Sequence, residues 1–189
     1  MKFKEAVTYD DMLIVPQYSD IESRSEIDVS SKLGHRTLRI PVIASPMDTV
    51  SEDQMAIAMY RAGGMAVLHR YNTIEQQAAM AASVTQVSNW SGQVAAAIGV
   101  TGDFMERSEA LIASGVDVLC VDVAHGHHLL VKKALQQLRN EYNNDIYIIA
   151  GNVCTLEGIN DVADWGANAV RCNIGGGSIC STRIVTGHG

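Results

Sequence analysis

The stretch SGVDVLCVD, residues 114–122, is the part of the sequence that decides the fold class. A glycine comes near its start, and a short apolar run follows that ends in an acidic residue. AGGMAVLH (62–69) and WGANAVRC (165–172) repeat the order of a glycine and then a strand-like run. The glycines of the three stretches are Gly63, Gly115 and Gly166. We predict that each of them ends a helix as a left-handed cap. A unit that recurs about every fifty residues favours a (β/α)8 barrel.

Short apolar runs and amphipathic stretches alternate along the rest of the chain. The runs are about five residues long and rich in Val, Ile and Ala, as is typical of parallel strands covered on both faces. They lie at 41–45, 65–69, 94–100, 118–122, 146–151 and 168–172. The helical patterns lie at 51–62, 73–87, 103–114, 128–141 and 155–165. We therefore predict an α/β fold, a (β/α)8 TIM barrel of which about six βα units are present.

The chain length bounds the domain organisation. The sequence has 189 residues, whereas a complete barrel of this type usually needs about 250. We expect a single catalytic barrel domain over residues 1–189, truncated after the glycine-rich loop near its end. Roughly the first forty residues show no helical periodicity, so we expect an arm with short strands there.

Composition excludes several classes of partner. The net charge is −7 and the 14 basic residues are scattered, which argues against a nucleic-acid partner. No apolar run reaches the ~18 residues that a membrane span needs, and the N-terminus does not resemble a signal peptide, so we expect a cytoplasmic protein without membrane contact. Cys120, Cys154 and Cys172 lie in or beside apolar runs, and we expect them to be buried, reduced thiols.

The loop NIGGGSICSTR, residues 173–183, carries the strongest sign of chemistry. Consecutive glycines allow backbone amides to form a nest for an anion, and the Ser178 hydroxyl adds a donor for a phosphate. Cys180 would then be a thiol on an accessible loop beside that anion, which suits a nucleophile. An ordinary glycine-rich turn with a passive cysteine remains the alternative at this point.

Polar residues also follow other predicted strands. Asp122 ends one strand and could cap the next helix or hold a ribose hydroxyl. The sequence HGHH at 125–128 has three imidazoles but no carboxylate or cysteine at a compatible spacing. It therefore favours a solvated strand-to-helix turn over a metal site.

These motifs together resemble the IMP dehydrogenase and GMP reductase family. The loop at 173–183 is similar to the family's catalytic loop, although Gly176 stands where the family commonly has proline or serine. Further stretches that resemble the family are 8–21, 40–70, 116–128 and 148–153. The resemblance covers nearly the whole chain. It implies a TIM barrel that binds a purine nucleotide and a nicotinamide cofactor, and a homotetramer as the assembly.

The resemblance also implies roles for individual residues. The catalytic residues would be Cys180, which attacks the purine ring, and Thr182 beside it. The residues that bind the nucleotide would be Ser45, Met47, Gly177 and Ser178. The residues that bind the cofactor would be Asp122, Asn152 and Arg171. Backbone carbonyls for a potassium ion would come from Gly175, Gly177 and Cys180.

Three functions are compatible with the resemblance. The first is oxidation of IMP by NAD to XMP and NADH through a covalent cysteine thioimidate. The second is the GMP reductase reaction, in which GMP and NADPH give IMP and ammonia. SPMDTV (45–50) favours the dehydrogenase, whereas SRSEID (23–28) and the absence of the inserted regulatory domains favour the reductase. The third is an inactive nucleotide-binding fragment or assembly partner.

Overall fold

A computed structural model describes residues 7–88, 94–177 and 179–189. Six strands form one parallel sheet in which each strand pairs with the next along the chain. They are β3 (Ile43–Ala44), β4 (Met65–Leu68), β5 (Ala95–Ile98), β6 (Val118–Asp122), β7 (Tyr147–Val153) and β8 (Ala169–Cys172). The strands of the hairpin that precedes them are β1 (Ser31–Leu33) and β2 (Arg36–Leu38).

Helices connect the strands of the sheet in strict alternation. They are α1 (Asp53–Ala62), α2 (Ile74–Ser88), α3 (Phe104–Ala113), α4 (Leu129–Tyr142) and α5 (Leu156–Asp164), and the short α6 (Thr182–Thr186) follows β8. The sheet is a curled half-barrel, so the predicted α/β class and the partial TIM barrel are confirmed. No helix within the described ranges is both long and apolar enough to cross a membrane.

The core lies on both faces of the sheet. Leu68, Leu119 and Ile148 pack with the helices in one cluster, whereas Val67 and Val118 belong to a second cluster on the other face. The central strands β4 and β5 are buried at every position, as the apolar runs predicted. The two edge strands differ, because β3 and β8 each have a neighbour on one side only and contain no fully buried residue.

Left-handed glycines end three of the helical segments, as the sequence predicted. Gly63, Gly115 and Gly166 have φ angles of 97°, 93° and 117°. At Gly63 the backbone N–H donates to the carbonyls of Met59 and Tyr60, which closes the last turn of α1. A side chain at Gly63 would also collide with Arg39, because an added Cβ would lie 2.8 Å from its side chain.

The β1–β2 hairpin covers the amino ends of the central strands. Arg36 is buried and its Nε donates to a carboxylate oxygen of Asp117, 2.9 Å away. The other oxygen of Asp117 accepts the backbone N–H of Val94 at 3.0 Å. Asp117 precedes β6 and Val94 precedes β5, so one carboxylate joins the hairpin to two neighbouring strands. The short strands expected within the first forty residues therefore serve to close this end of the sheet.

Two of the predicted buried thiols are in fact exposed. Cys120 is fully buried in β6, but Cys154 and Cys172 are exposed. Cys154 follows the last residue of β7, and Cys172 is the last residue of the edge strand β8. The apolar runs predicted the strands correctly. They did not show that Cys154 lies just beyond the end of its strand, or that Cys172 lies on a strand at the edge of the sheet.

Candidate active site

Polar side chains gather at the carboxyl ends of the strands. Ser45 follows β3, Asp122 ends β6, and Asn152 and Arg171 lie near the ends of β7 and β8. Because neighbouring parallel strands end at the same edge of the sheet, these residues share one rim of the half-barrel. This is the edge at which (β/α) barrels carry their active sites.

Arg171 is the centre of a cluster that joins three parts of the chain. Its guanidinium donates to the carboxylate of Asp122, and Nη2 lies 3.5 Å from the hydroxyl of Ser45. Both members of the ion pair are largely buried. Burial opposes the charge on Arg171, but Cys120 and Asp122 outweigh it and the pKa of the guanidinium is raised. Three residues predicted from the resemblance therefore lie in contact.

Cys120 lies beneath this cluster. Its Sγ is 3.9 Å from Nη1 of Arg171. Burial raises the pKa of the Cys120 thiol to about 12, so it stays protonated and unreactive at neutral pH. The residue contributes to packing under the ion pair. Sequence reasoning placed it in the core but could not show its contact with Arg171, because 51 residues separate the two.

Asn152 connects the end of β7 to the start of the glycine-rich loop. Its side-chain amide donates to the carbonyl of Asn173 at 2.8 Å. Its own carbonyl accepts the backbone N–H of Gly126 at 2.7 Å, so the turn after β6 is held against the same strand. A side chain at Gly126 would clash there, because its Cβ would lie 2.8 Å from that carbonyl oxygen. Asn152 therefore positions two loops of the rim.

The loop after β3 has a fixed conformation. Ser51, which is fully buried, donates its hydroxyl to the carbonyl of Ser45 and accepts the backbone N–H of His69 at its own carbonyl, 3.1 Å away. The backbone N–H groups of Val50 and Ser51 both donate to the carbonyl of Met47. The Ser45 and Met47 side chains remain exposed on this rigid loop. Sequence reasoning missed Ser51, for which a serine just before a helix was the only available signal.

Cys180 is exposed on the glycine-rich loop and contacts Thr182. The thiol donates to the Thr182 hydroxyl at 3.2 Å. Hydrogen bonds from the side chain and the backbone of Thr182 lower the pKa of the Cys180 thiol. The backbone N–H of Cys180 donates to the carbonyl of Gly177 at 3.0 Å. The predicted phosphate ligand Ser178 lies outside the described residues.

Arg183 holds the base of this loop and was not singled out from the sequence. Its Nε donates to the carbonyl of Ile174 at 2.8 Å, and Nη2 lies 3.3 Å from the side-chain oxygen of Asn173. Its aliphatic stem packs against Gly175, where an added Cβ would be 2.9 Å from Cγ. The basic residue three positions after Cys180 was the signal that could have indicated it.

The predicted site therefore forms two groups. One is Ser45, Asp122 and Arg171, and the other is the Cys180–Thr182 pair. No hydrogen bond joins these two groups within residues 7–88, 94–177 and 179–189. Asn152, near the end of β7, contacts the start of the glycine-rich loop by donating to the Asn173 carbonyl. The strand ends fix the first group, whereas the second depends on the conformation of a glycine-rich loop.

The histidines of the turn after β6 have separate partners. His128 caps α4 by accepting the backbone N–H of Leu130 at 3.1 Å, and His127 lies 2.8 Å from a carboxylate oxygen of Asp161. Burial and the neighbouring imidazoles lower the pKa of His125. Across the part of the chain that the structure describes, no group of three His, Cys, Asp or Glu could hold a metal ion.

The sheet and the rim place the chain in the class of (β/α)-barrel domains with a site at the carboxyl ends of the strands. Within that class, the chain belongs to the IMP dehydrogenase / GMP reductase domain family, whose model matches residues 6–189. The resemblance seen in the sequence is therefore confirmed.

Proteins named IMP dehydrogenase and proteins named GMP reductase are both similar to nearly the whole chain. An inosine-5'-monophosphate dehydrogenase of Nitrosopumilus maritimus is 29% identical over 311 residues, covering 100% of this chain and 65% of its own length. The corresponding enzyme of Cryptosporidium parvum is 33% identical and covers 98% of this chain and 55% of its own length. A GMP reductase of Albidiferax ferrireducens is also 33% identical, and the similarity covers 98% of this chain and 56% of that enzyme. The chain thus spans about half to two thirds of the length of these relatives.

Proposed function

We propose that this chain carries the cysteine half of the active site of a purine nucleotide oxidoreductase that oxidises IMP with NAD. The observation that carries the proposal is the exposed Cys180 thiol, whose pKa is lowered by Thr182. Membership of the family supports it, as does the position of the loop directly after β8, at the rim that also holds Arg171. A lowered pKa increases the fraction of thiolate, which is the nucleophilic form.

The chemistry proposed for Cys180 is covalent. Its thiolate sulfur forms a bond to C2 of the hypoxanthine ring, and oxidation at C2 leaves a thioimidate. Water then adds at C2, and the carbon–sulfur bond breaks. The oxygen of water becomes the C2 carbonyl oxygen of the product, one of its protons goes to N3, and the other restores the Cys180 thiol. The proton released overall is the one that the thiol loses when it becomes the thiolate. Thr182, in contact with the sulfur, would stabilise the thiolate before attack and after release.

Ser45, Met47, Gly177 and Ser178 are the proposed contacts of the nucleotide. Ser45 and Met47 are exposed at the rim on a loop fixed by Ser51. The hydrogen bonds of this loop suit a site that must hold the ribose and base in one orientation, because a bound geometry close to the reacting one lowers the barrier. Gly177 is exposed, and no atom of the described residues beyond its chain neighbours lies within 4 Å of an added Cβ.

Asp122, Asn152 and Arg171 are the proposed contacts of the nicotinamide cofactor. Asp122 uses one carboxylate oxygen for Arg171, and its second oxygen has no hydrogen-bond partner among the described residues. That free acceptor fits a ribose hydroxyl. Bound at this rim, the nicotinamide cofactor would supply the acceptor for the hydride that leaves C2. Arg171 would hold the Asp122 carboxylate in one orientation.

The described loop does not favour the predicted potassium site. The carbonyl of Gly177 already accepts the backbone N–H of Cys180, and the stem of the cationic Arg183 packs on Gly175. A cation held by these carbonyls would compete with both contacts. Potassium therefore stays a prediction, as do the homotetramer, the cytoplasmic location and the single-domain boundary.

The GMP reductase reaction is the second candidate, and the similarity to enzymes of that name supports it. The GMP reductase of Albidiferax ferrireducens is 33% identical to this chain, the same identity as for the Cryptosporidium parvum dehydrogenase. Both reactions use the same cysteine and the same nucleotide pocket. The third prediction, a nucleotide-binding fragment without turnover, is the outcome if neither reaction occurs.

The test follows the near-ultraviolet absorbance of reduced nicotinamide with IMP plus NAD and, separately, with GMP plus NADPH. A rise in the first mixture is the expected result, and a fall in the second would assign the reductase. Cys180→Ala should abolish either signal while IMP still binds. Cys154→Ala is the matched control, because it removes another exposed thiol near the rim.

Nucleotide binding can be tested even without turnover. Iodoacetamide should alkylate Cys180 faster than Cys154, and saturating IMP should slow the first reaction and not the second. Mass spectrometry of the two peptides measures both rates in one sample. Unchanged alkylation of Cys180 in IMP, together with full turnover of Cys180→Ala, would remove the covalent proposal.

A further inference from the structure

A second cleft lies at the carboxyl ends of β3 and β4, beside α1 and α2. Its volume is about 450 Å³. It is lined by acidic side chains together with an imidazole, an aromatic ring and an amide, and none of them comes from the glycine-rich loop. The residues that line it include Asp48, Glu52, Asp53, His69, Tyr71 and Asn72. None of the roles proposed above involves these six residues.

The imidazole of His69 points an unpartnered atom into this cleft. His69 is only 2% exposed, yet its Nε2 has no hydrogen-bond partner among the described residues. The nearest carboxylate oxygens belong to Glu52, at 3.5 Å, and Asp48, at 3.9 Å. Both distances exceed the ~2.7–3.2 Å of an N–H···O hydrogen bond. Because an unpaired buried polar group is costly, a ligand atom at this position would stabilise the site.

The hydrogen bonding of the ring defines what kind of atom Nε2 needs. The backbone N–H of Tyr71 donates to Nδ1 of His69 at 3.2 Å. Nδ1 is therefore an acceptor, so the N–H of the ring is at Nε2. A protonated Nε2 donates a hydrogen bond and does not coordinate a metal ion. The ligand must bring an acceptor to His69.

Two carboxylates lie near this donor, and a buried amide oxygen belongs to a residue that lines the same cleft. The carboxylates of Asp48 and Glu52 face it with their side chains 63% and 44% exposed, and Oδ1 of Asn72 is buried without a partner in the described chain. A hydroxyl both accepts from an N–H and donates to a carboxylate, so it satisfies the two requirements at once. Two adjacent hydroxyls on one ring would reach both carboxylates. Phosphate does not fit, because the carboxylates would repel it.

We propose that this cleft binds the vicinal diol of a ribosyl group. His69 donates to one hydroxyl, and Glu52 and Asp48 accept from the pair. Carboxylates hold ribose hydroxyls in the same way in dinucleotide-binding folds. The ring of Tyr71 is 59% exposed and forms the apolar wall. It stacks on His69 with centroids 6.2 Å apart, and the Arg70 guanidinium lies over it, 5.5 Å from the ring centroid. The proposal does not depend on the reaction proposed for Cys180.

Calorimetric titration with adenosine tests the diol directly. Adenosine should bind saturably, and 2′-deoxyadenosine should bind about tenfold more weakly, because it leaves a charged acceptor unpaired. Methyl β-D-ribofuranoside separates the two sources of a diol. Equal affinity for this glycoside and adenosine assigns the site to ribosyl groups in general, and tighter adenosine assigns it to nucleosides. Equal affinity for adenosine and 2′-deoxyadenosine overturns the proposal.

Charge-neutralising variants locate the binding. The double variant Asp48→Asn, Glu52→Gln should weaken adenosine binding tenfold or more while its Tm stays near that of the wild type. Asp53→Asn is the matched control in the same cleft, because its oxygens already accept from the Gln54 backbone N–H at 2.8 Å and the Ser83 hydroxyl at 3.4 Å. Asp53→Asn should change the affinity for adenosine by less than about twofold. Unchanged binding in the double variant overturns the proposal.

A competition experiment separates this cleft from the proposed nucleotide site. Adenosine should bind with the same affinity in saturating IMP and in Cys180→Ala. Displacement of adenosine by IMP would place it at the nucleotide site and overturn the second site, without touching the reaction proposed above. Absence of turnover, by contrast, would leave the adenosine affinity and its dependence on Glu52 unchanged.

Discussion

The cluster around Arg171 and the loop that carries Cys180 lie at the same rim but are built differently. Asp122 on β6 and Arg171 on β8 are largely buried, and their ion pair spans the strand β7 that lies between them. Cys180 is exposed, follows three glycines and is held locally by Thr182 and by the Gly177 carbonyl. The first group is thus held by contacts between residues far apart in the chain, whereas the thiol is held by contacts within a few residues of itself.

Glycine-to-alanine substitution should show the largest difference between the two regions. Gly151→Ala would place a Cβ 2.6 Å from the carbonyl oxygen of Arg171 and 2.7 Å from its Cβ, so we expect a loss of about 3 kcal/mol in the free energy of unfolding. Gly177→Ala meets nothing within 4 Å and should change it by less than about 0.5 kcal/mol. Urea unfolding measures both. Equal losses would show that the loop is packed as tightly as the strands.

Removal of Asp122 should give the next largest effect. Asp122→Ala leaves the largely buried guanidinium of Arg171 without its carboxylate, which should cost about 2 kcal/mol of unfolding free energy after allowance for partial solvent exposure. Asp28→Ala is the control, because that exposed carboxylate bonds only to Ser30. A small loss in both variants would mean that the ion pair does not hold the rim together.

Alkaline pH should distinguish the two thiols. The pKa of Cys120 is about 12 in the folded chain, against roughly 8.5 when unfolded. The folded chain holds the thiol proton more tightly than the unfolded chain does. The resulting stabilisation of the folded state is fully present below the pKa of the unfolded thiol, and it is lost as the pH rises toward 12. The loss should be about 1.4 kcal/mol per pH unit. Cys120→Ala should be less stable at pH 7, but its free energy of unfolding should not fall in this way as the pH rises. Cys180→Ala should show the same fall as the wild type. Unfolding curves between pH 8 and 11 check this.

The smallest expected effect concerns the reactivity of Cys180. Thr182 lowers the pKa of this thiol, so Thr182→Val should raise it and shift the pH profile of alkylation toward higher pH. The alkylation rate at pH 7 should fall severalfold, because less thiolate is present. Thr186→Val is the control, since its hydroxyl bonds to the Thr182 carbonyl and to His188, not to the sulfur. An unchanged profile in Thr182→Val would assign the lowered pKa to another group.

The elements of the sheet could be predicted from the sequence because their signals are local. The strand at 118–122 was predicted with its observed bounds, and Gly63 and Gly166 were predicted as caps from the residues beside them. The contact between Arg171 and Ser45 joins residues 126 positions apart, so periodicity carries no information about it. The resemblance to a family named both residues, but only the structure shows that they meet.

Two other features could not be predicted for a related reason. The exposure of Cys172 depends on β8 being the edge of the sheet, which is a property of pairing and not of the run itself. The support that Arg183 gives to the glycine-rich loop depends on how that loop returns to Ile174. Local sequence predicts which residues form an element. It does not predict which neighbour covers the element.

The bond between Arg36 and Asp117 has a consequence for the order of folding. The strand pairs of the sheet join consecutive units of the chain, whereas Arg36 and Asp117 are 81 residues apart. Bringing these two residues together costs chain entropy, and the contacts that offset this cost exist only once the end of the sheet has formed. The hairpin should therefore dock after β5 and β6 have paired. Arg36→Ala should accelerate unfolding and leave the folding rate almost unchanged, with a φ-value near zero.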